Sequence, residues 1–244
     1  MNLIGIDLAW QSEKNTSAAA VGKLDGNVLS IHELRKDLDS IGAIMEFVGG
    51  YPDVVGLAID APLIVRNLAG QRPCEKELGR VYGTRKASCH ASNLTLYPAA
   101  PSVDLGNRLV RHGYSHLGRP KNSRWQVECY PHPAIIEMFG LDERLLYKKG
   151  KVDAKRRGQI RLAGLIRQLA DSPVLSLSID PCFDSYLEEF SIANKRGAAL
   201  KKNEDTLDAI ICTYVAGLYA RDAASSTFGS ADEGYIYVPQ AYCL

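Results

Sequence analysis

Short apolar runs separated by turn residues fill the first third of the chain. Residues 3–9 form an apolar run that predicts a strand, and residues 17–24 and 28–34 predict two more. A turn signal at residues 25–27 joins the second run to the third. This spacing predicts an antiparallel meander of three strands at the start of the fold.

The pattern then changes to helical spacing. Apolar side chains recur every three or four positions over residues 41–48, two glycines follow, and residues 54–59 predict another strand. A helical crossover favours parallel pairing, so we expect residues 54–59 to lie beside residues 3–9. Asp7 and Asp60 would then share the carboxyl edge of the sheet, where open α/β folds bind ligands.

The middle of the chain is less regular. Basic residues are interleaved with tyrosines and histidines over residues 66–125, and short helices are predicted after Pro73 and near residues 105–112. We interpret residues 63–124 as a helical and loop insertion between the fourth and fifth core strands. The whole chain, residues 1–244, is expected to form a single domain.

The second half of the chain alternates between strand and helix patterns. The predicted elements are a strand at residues 126–130, helices at residues 133–139 and 160–169, and a closing edge strand at residues 234–239. The densest basic run lies at residues 148–157. The apolar stretch between Pro173 and Pro181 has no assignment.

A long apolar segment at residues 204–219 predicts the last major helix. Asp205 and Asp208 are three positions apart, so they share one face of that helix. Both are expected in its first turn, where the helix dipole favours negative charge and Asp205 is a candidate cap. Apolar residues that bury the helix follow Asp208, so its carboxylate needs a proton, a cation or a metal ion.

Charge and composition limit the classes of function. The chain has 29 basic and 28 acidic residues, so no global field attracts nucleic acid and any polyanion site must be local. Its six cysteines form no CxxC pair, and the chain opens with a strand pattern instead of a signal segment. No apolar run approaches the roughly 20 residues that span a bilayer. We therefore expect a reduced, cytoplasmic protein that makes no contact with membranes.

Six short motifs occur in an order that resembles one protein family. They are Gly5-Ile6-Asp7, Ile59-Asp60-Ala61-Pro62, Arg72-Pro73-Cys74-Glu75, Glu128-Cys129-Tyr130-Pro131, Asp205-x-x-Asp208-Ala209 and Glu233-Gly234-Tyr235-Ile236. The family is that of the predicted nucleases with a ribonuclease H fold, domain of unknown function family number 429. The resemblance spans residues 3–239. It implies an α/β, ribonuclease H-like core: a five-stranded mixed sheet, an antiparallel three-strand meander plus parallel strands, with helices on both faces.

The resemblance also implies a metal-dependent nuclease with two ions and a set of acidic ligands. Carried over position by position, the first-strand acid is Asp7, the fourth-strand acid is Asp60, and the last-helix acid is Asp208 with Asp205 beside it. Glu128 matches the Glu-Cys-Tyr-Pro element of the family. These five residues are the candidate metal ligands, and all of them except Asp205 are candidate catalytic residues.

The chemistry of phosphodiester hydrolysis fits such a carboxylate set. Two Mg²⁺ or Mn²⁺ ions about 3.5 to 4 Å apart require one bridging carboxylate and several flanking ones. Hard oxygen ligands select these ions over zinc. We expect Asp7 to bridge the ions, Asp60 and Asp208 to flank it, and Glu128 or Asp205 to complete the ligand set.

Substrate contacts are expected from the basic insertion. Arg72, Arg85 and Lys86 are candidates for binding phosphates. Tyr82 and His90 are candidates for stacking on bases. The expected substrate is a nucleic acid or a nucleotide phosphoester, and the sequence leaves DNA, RNA and small phosphoesters open, as it does the oligomeric state.

Functions of two other classes stay open. An actin-like nucleotide-binding phosphotransferase or ATPase would also hold Mg²⁺ at Asp7, but such proteins usually duplicate the core and carry glycine-rich phosphate loops, which this sequence does not have. A non-catalytic binding protein would keep the fold and use its acids for a regulatory ion or a partner. Structural alternatives also exist for Asp7 as a turn residue, Glu128 as the partner of a nearby arginine, and His132 as a turn residue between prolines.

Overall fold

A mixed α/β architecture around one large sheet is seen in the computed structural model, which describes residues 1–11, 15–119 and 123–244. The strands of that sheet are β1 (Asn2–Asp7), β2 (Ser17–Asp25), β3 (Val28–Leu38), β4 (Val54–Asp60), β5 (Ser115–His116), β6 (Trp125–Glu128) and β7 (Ser176–Ile179). Their order across the sheet is β5-β6-β4-β1-β2-β3-β7. Two further strands, β8 (Ser225–Ser230) and β9 (Gly234–Pro239), form a separate antiparallel pair.

Helices cover both faces of the large sheet. They are α1 (Ile41–Gly49), α2 (Pro73–Tyr82), α3 (Pro101–Arg111), α4 (Pro131–Phe139), α5 (Val152–Gln168), α6 (Glu189–Asn194) and α7 (Gly197–Ala220). The segment between β4 and β6 carries α2, α3 and β5. Within the residues that the structure describes, no helix combines the length and the apolar character that crossing a membrane requires.

The centre of the sheet has the predicted pairing. β2 lies antiparallel between β1 and β3, which confirms the meander. β4 lies parallel to β1, and Asp7 is directly opposite Asp60 in the register. The two aspartates therefore end neighbouring parallel strands at the same edge.

The sheet is larger than the five strands expected from the sequence, so that expectation was wrong. The additional strands lie at the two edges: β5 pairs with β6, and β7 pairs with β3. They have two and four residues, which is too short for an alternating pattern to be recognised, and β7 falls in the unassigned stretch. The predicted closing strand exists as β9, but it pairs with β8 outside the large sheet.

Alternating side chains divide the core between the two faces of the sheet. Leu3 and Ala20 pack in a cluster with residues of α4, α5 and α7. Ile4 and Val21, one position further along each strand, pack in a second cluster with residues of α1 and α3. This is the period of two that a sheet buried on both faces imposes. By the same count, Asp7 lies on the α7 face of β1.

Gly5 allows α7 to lie against β1. A Cβ atom at Gly5 would be 2.1 Å from the backbone nitrogen of Thr213 and 2.4 Å from the carbonyl oxygen of Ala209. The Thr213 hydroxyl also donates a hydrogen bond to the carbonyl oxygen of Ala20. This close approach brings the acidic stretch of α7 to the strand that carries Asp7.

The last helix begins earlier than the sequence pattern predicts. α7 starts at Gly197, eight residues before Asp205. Asp205 is therefore not a helix cap, and neither it nor Asp208 lies in the first turn, so the expected support from the helix dipole was wrong. The start of α7 could not be recognised from the apolar pattern, because the polar residues Lys201-Lys202-Asn203 interrupt that pattern although they are helical.

Candidate metal centre

Three carboxylates converge at the carboxyl edge of the sheet. Asp7 and Asp60 end adjacent parallel strands, and Asp208 reaches them from α7. One oxygen of each carboxylate lies within 4.8 Å of the oxygens of the other two. We call Asp7, Asp60 and Asp208 the aspartate cluster.

The aspartate cluster is in a poor environment for negative charge. The Asp208 side chain is fully buried. Burial raises the pKa of Asp7 well above its usual range; the charge of Lys148 opposes the rise, and the charges of Asp208, Asp205 and Asp60 add to it. Burial likewise raises the pKa of Asp60 to about 6. The cluster therefore needs a cation to become fully ionised.

Lys148 supplies a cation to the cluster. Its Nζ lies 2.6 Å from Oδ2 of Asp208 and 3.6 Å from Oδ2 of Asp60. Burial acts to lower the pKa of Lys148, but the charge of Asp208, followed by those of other neighbouring groups, outweighs burial and raises that pKa well above its usual range. Lys148 is therefore a permanent positive charge in this arrangement.

The two oxygens of Asp208 are held differently. The hydroxyl of the buried Tyr147 donates a hydrogen bond of 2.6 Å to Oδ1. Oδ2 is buried and has no hydrogen-bond partner among the described residues, although Lys148 is close. The contact between Lys148 and Oδ2 is thus an ion pair without the angles of a hydrogen bond, and Oδ2 retains free lone pairs.

Asp205 lies beside the cluster and has its own cation. Lys201, one turn earlier on α7, pairs with both Asp205 and Glu204. Asp205 nevertheless lines the same cavity as Asp7 and Asp60. The structure therefore places Asp205 next to the aspartate cluster, with its charge already paired.

Glu128 is not brought into the cluster. Trp125, Val127 and Cys129 pack on the α7 side of the sheet, so the alternation of β6 turns Glu128 toward the other face. There it accepts hydrogen bonds of 2.9 and 2.5 Å from Arg72 and one of 2.9 Å from the backbone nitrogen of Leu63. The alternative weighed for Glu128, a pair with a nearby arginine, is the arrangement observed.

The predicted phosphate-binding residues are engaged elsewhere. Arg72 is 2% exposed, and its guanidinium bonds to Glu128, to Glu75 and to the carbonyl oxygen of Ile64. These donors of Arg72 are therefore used inside the protein, although Arg72 also lines the cavity over the aspartate cluster. The reason is the same alternation that turns Glu128 away, since the buried carboxylate needs a buried cation.

Arg85 and Lys86 form ion pairs with a neighbouring segment. Arg85 contacts Glu137 at 2.6 Å, and Lys86 pairs with Glu143. Both lie outside the set of described residues that line the cavity over the aspartate cluster. Of the two candidate stacking residues, Tyr82 is buried in a third apolar cluster with α2 and β9, whereas His90 lines the cavity.

A cavity of about 460 Å³ opens over the aspartate cluster. Among the described residues, the cationic side chains that line it are Arg72, Arg144, Lys148, Lys149 and Lys201. His132 also lines it. Both Nδ1 of His132 and Nε of Arg144 are buried without a hydrogen-bond partner in the part of the chain that the structure describes.

His132 has a structural position different from the turn that its flanking prolines suggest. It is the second residue of α4, and its ring makes edge contacts with Tyr130 and Tyr147. Burial lowers the pKa of His132 well below its usual value, and the charges of Lys148, Arg144 and Lys149 lower it further. The ring is therefore neutral and lies near three cations, with one nitrogen that has no hydrogen-bond partner among the described residues.

The comparisons with known proteins identify the family. The model of the family described as "Protein of unknown function (DUF429)" matches residues 5–233. The chain belongs to the DUF429 family. No curated protein and no solved structure matches this DUF429 chain. The match contains the aspartate cluster, together with Asp205 and Glu128, and five of the six motifs; the sixth motif begins at residue 233, where the match ends.

Sequence reasoning missed several residues of the DUF429 site. Lys148 was noticed only as part of a basic run, and Tyr147 and Arg144 were not singled out. The available signal was the apolar run Leu145-Leu146-Tyr147 just before that basic run, which indicates a connection anchored in the core; Leu145 and Tyr147 are the buried members of the run. Gly158 of α5 allows the anchoring, because a Cβ atom there would lie 1.9 Å from the carbonyl oxygen of Leu146.

Proposed function

We propose that this DUF429 protein is a divalent-metal-dependent hydrolase of phosphodiester bonds, a nuclease that uses two Mg²⁺ or Mn²⁺ ions. The observation that carries the proposal is the aspartate cluster itself. Three carboxylates from three different elements meet within 4.8 Å at the carboxyl edge of the sheet. Such an arrangement opposes its own ionisation and is typical of sites that bind divalent cations.

The donor chemistry fits the proposed ions. The three ligands are carboxylates, which are the hard oxygen donors that Mg²⁺ and Mn²⁺ prefer. Oδ2 of the fully buried Asp208 has free lone pairs. Asp205 and Glu204 add negative charge nearby, whereas Lys148 and Lys201 are the cations that face these five acids. The site therefore has excess negative charge when ionised.

The residues divide into ligands and supporting groups. Asp7 ends β1 beside Asp60, and these two residues with Asp208 would hold the ions. Ions bound there would supply activation of water and stabilisation of the leaving oxygen. Tyr147 orients Asp208 through its hydrogen bond. Glu128 acts as a positioning residue, because it holds the backbone of Leu63, three residues after Asp60.

We assign substrate contacts to the cationic wall of the cavity. Arg144 and Lys149 are the proposed phosphate-binding groups, and neutral His132 offers a ring nitrogen beside them. A cavity of about 460 Å³ is within the usual range for a site that encloses a small ligand, so the substrate portion bound there is of nucleotide size. The substrate class is a nucleic acid or a nucleotide phosphoester.

The ribonuclease H-like assignment of the fold belongs to the same proposal. It is supported by the central five strands, which combine the antiparallel meander β1–β2–β3 with the parallel strands β4 and β6. It is also supported by α7, which crosses β1 and contributes Asp208. In this interpretation β5 and β7 are additions to the two edges of the core.

A metal-dependent cleavage assay tests the proposed function. The wild-type protein, Asp7→Asn and Asp104→Asn are incubated with Mn²⁺ or Mg²⁺ and with single-stranded and double-stranded DNA and RNA, a small phosphodiester and ATP. Asp104 is a matched control because its carboxylate forms an ion pair on the surface of α3. We expect cleavage by the wild type and by Asp104→Asn, and a loss of at least about 100-fold in Asp7→Asn.

The other outcomes contradict the proposal in distinguishable ways. Hydrolysis of ATP alone would favour an actin-like phosphotransferase or ATPase. Metal binding without hydrolysis of any of these substrates would favour a non-catalytic binding protein. Cleavage that survives both Asp7→Asn and metal chelation would place the reaction outside the aspartate cluster.

A further inference from the structure

We propose that Lys148 is a built-in counter-ion that competes with the metal ion for the aspartate cluster and moves into the cavity when the ion binds. This inference rests on the proposed metal site and adds a step that the carboxylates alone do not contain. It assigns Lys148 two positions: one against Asp208 before the ion binds, and one facing the phosphate of the substrate afterwards.

The first position is defined by short contacts. Nζ of Lys148 lies 2.6 Å from Oδ2 of Asp208 and 3.6 Å from Oδ2 of Asp60. These two carboxylates, with Asp7, are the ligands of the proposed ions. The ammonium group therefore occupies the space between the oxygens that a metal ion would contact.

The two cations exclude one another for electrostatic reasons. A Mg²⁺ ion binds carboxylate oxygens at about 2.1 Å, so an ion on Oδ2 of Asp208 would lie within about 5 Å of the present position of Nζ. A divalent and a monovalent cation at that separation repel strongly in a buried site. Within the described residues, Oδ2 of Asp208 makes no hydrogen bond that would oppose this change. Binding of the ion thus favours departure of the ammonium group.

Only the side chain of Lys148 has to move. The preceding residue, Tyr147, is fully buried and keeps its hydrogen bond to Oδ1 of Asp208, the oxygen that Lys148 does not contact. The backbone of Leu146 and Tyr147 lies against Gly158 of α5. The side chain of Lys148, in contrast, is 24% exposed and lines the cavity.

The second position follows from the charges of the cavity. Once released from the aspartates, the ammonium group remains on the cavity wall beside Lys149 and Arg144. A site with three cations on one wall attracts a phosphate group, and Lys148 is the one closest to the aspartate cluster. The same lysine thus neutralises the cluster without metal and serves the substrate phosphate with metal.

Competition predicts that removal of Lys148 tightens metal binding. Titration calorimetry with Mn²⁺ is carried out at pH 8 on metal-stripped wild type, Lys148→Met and Lys23→Met. Lys23 is the control, since it is exposed on β2 and lies opposite Asn2, at the other end of β1 from Asp7. We expect the dissociation constant to fall about tenfold in Lys148→Met and to stay at the wild-type value in Lys23→Met. A merely structural lysine would weaken binding or leave it unchanged.

Two further measurements keep the test decisive. Metal-stripped Lys148→Met is expected to melt at a lower temperature than the wild type, and Mn²⁺ should raise its melting temperature by more than it raises that of the wild type. If Lys148→Met does not fold without metal, Lys148→Arg replaces it. That variant retains the competing charge and should bind Mn²⁺ no more tightly than the wild type, while Lys148→Gln should bind it more tightly.

The outcomes separate this inference from the proposed function. Equal or weaker Mn²⁺ binding in Lys148→Met and Lys148→Gln, with clear binding by the wild type, overturns the role of Lys148 and leaves the metal site intact. Absence of Mn²⁺ binding in the wild type and in both variants overturns the metal site as well.

Discussion

Ionisation of the buried Asp60 lowers the stability of the fold. Its carboxylate ends β4 beside Asp7 and below α7, and burial raises its pKa to about 6. A carboxyl group in the unfolded chain ionises near pH 4. Between these values the unfolded chain releases its proton first, so ionisation favours unfolding.

Asn at position 60 removes this titration. Below about pH 4, Asp60 of the wild type is protonated in both the folded and the unfolded protein, so its titration does not change the free energy of unfolding. As the pH rises from about 4 to 6, the wild type loses stability relative to Asp60→Asn, by up to about 3 kcal/mol, and above pH 6 the loss levels off. Denaturant unfolding in EDTA from pH 4 to 7 measures the difference in free energy of unfolding between the two proteins, which should widen up to about pH 6 and then stay constant. If the difference in free energy of unfolding stayed constant or narrowed from pH 4 to 6, burial would not destabilise the ionised carboxylate.

Glu128 is the residue for which a structural role is distinguished most easily from a role as a metal ligand. It is buried, and Arg72 and the backbone of Leu63 occupy its oxygens. Breaking a buried ion pair leaves a charge that has lost its partner, although Glu75 still faces Arg72.

Glu128→Gln is therefore expected to lower the free energy of unfolding by about 2 to 4 kcal/mol in EDTA. Glu143→Gln, which breaks the exposed pair with Lys86, should cost no more than about 1 kcal/mol. Chemical denaturation of both variants provides the comparison. If Glu128→Gln kept wild-type stability but lost Mn²⁺ affinity, Glu128 would be a ligand instead of a positioning residue.

At the scale of elements, the contact between β1 and α7 controls the geometry of the aspartate cluster. Gly5 faces the backbone of α7, where Thr213 and Ala209 leave no space for a side chain. Asp7 is two residues further along the same strand face, and Asp208 precedes Ala209. Any separation of β1 from α7 consequently separates the two aspartates.

Gly5→Ala is expected to destabilise the protein by about 3 kcal/mol, because backbone atoms cannot move aside as a flexible side chain does. It should also weaken Mn²⁺ binding, since α7 carries Asp208. Gly164→Ala in the exposed part of α5, where a Cβ atom meets no neighbour, should instead stabilise by about 0.5 to 1 kcal/mol. Thermal unfolding and calorimetry compare the two variants. A tolerated Gly5→Ala would contradict the close contact.

Elements with a continuous apolar run between turn signals were predictable from the sequence, and elements without such a run were not. The meander, β4 and its parallel pairing followed from apolar runs and turn signals. The first turns of α7 are polar and highly charged, so its start was placed too late. β5 and β8 are short or polar strands whose pairing depends on distant neighbours, a contribution that local pattern does not contain.

On the scale of the whole molecule, topology explains which candidate residues meet. Asp7 and Asp60 were predictable because parallel strands in register place their ends together, and Asp208 because one helix face must cover the sheet. The position of Glu128 away from the aspartate cluster could also have been predicted. Trp125 and Val127 are apolar and alternate along β6, so Glu128 must lie on the opposite face of the sheet from them. The apolar residues before Lys148 indicate that its connection is anchored in the core, but not where it packs, because its position depends on tertiary contact with α5.

The same topology places two aspartates and several cations around one cavity. Asp7 and Asp60 line this cavity together with Arg144, Lys148 and Lys149. A nearly neutral chain therefore concentrates positive charge where a phosphate would enter. This arrangement combines a carboxylate site for cations with a cationic wall for anions, as expected for phosphodiester hydrolysis with metal ions.

Anomalous diffraction from a crystal soaked in Mn²⁺ tests the central claim most directly, because it locates the ion and its ligands without depending on a substrate. The account predicts Mn²⁺ bound to Asp7, Asp60 and Asp208, with Nζ of Lys148 moved away from Asp208 and Glu128 still paired with Arg72. Mn²⁺ bound only at other residues, or no anomalous peak at the aspartate cluster at a saturating concentration, would contradict it.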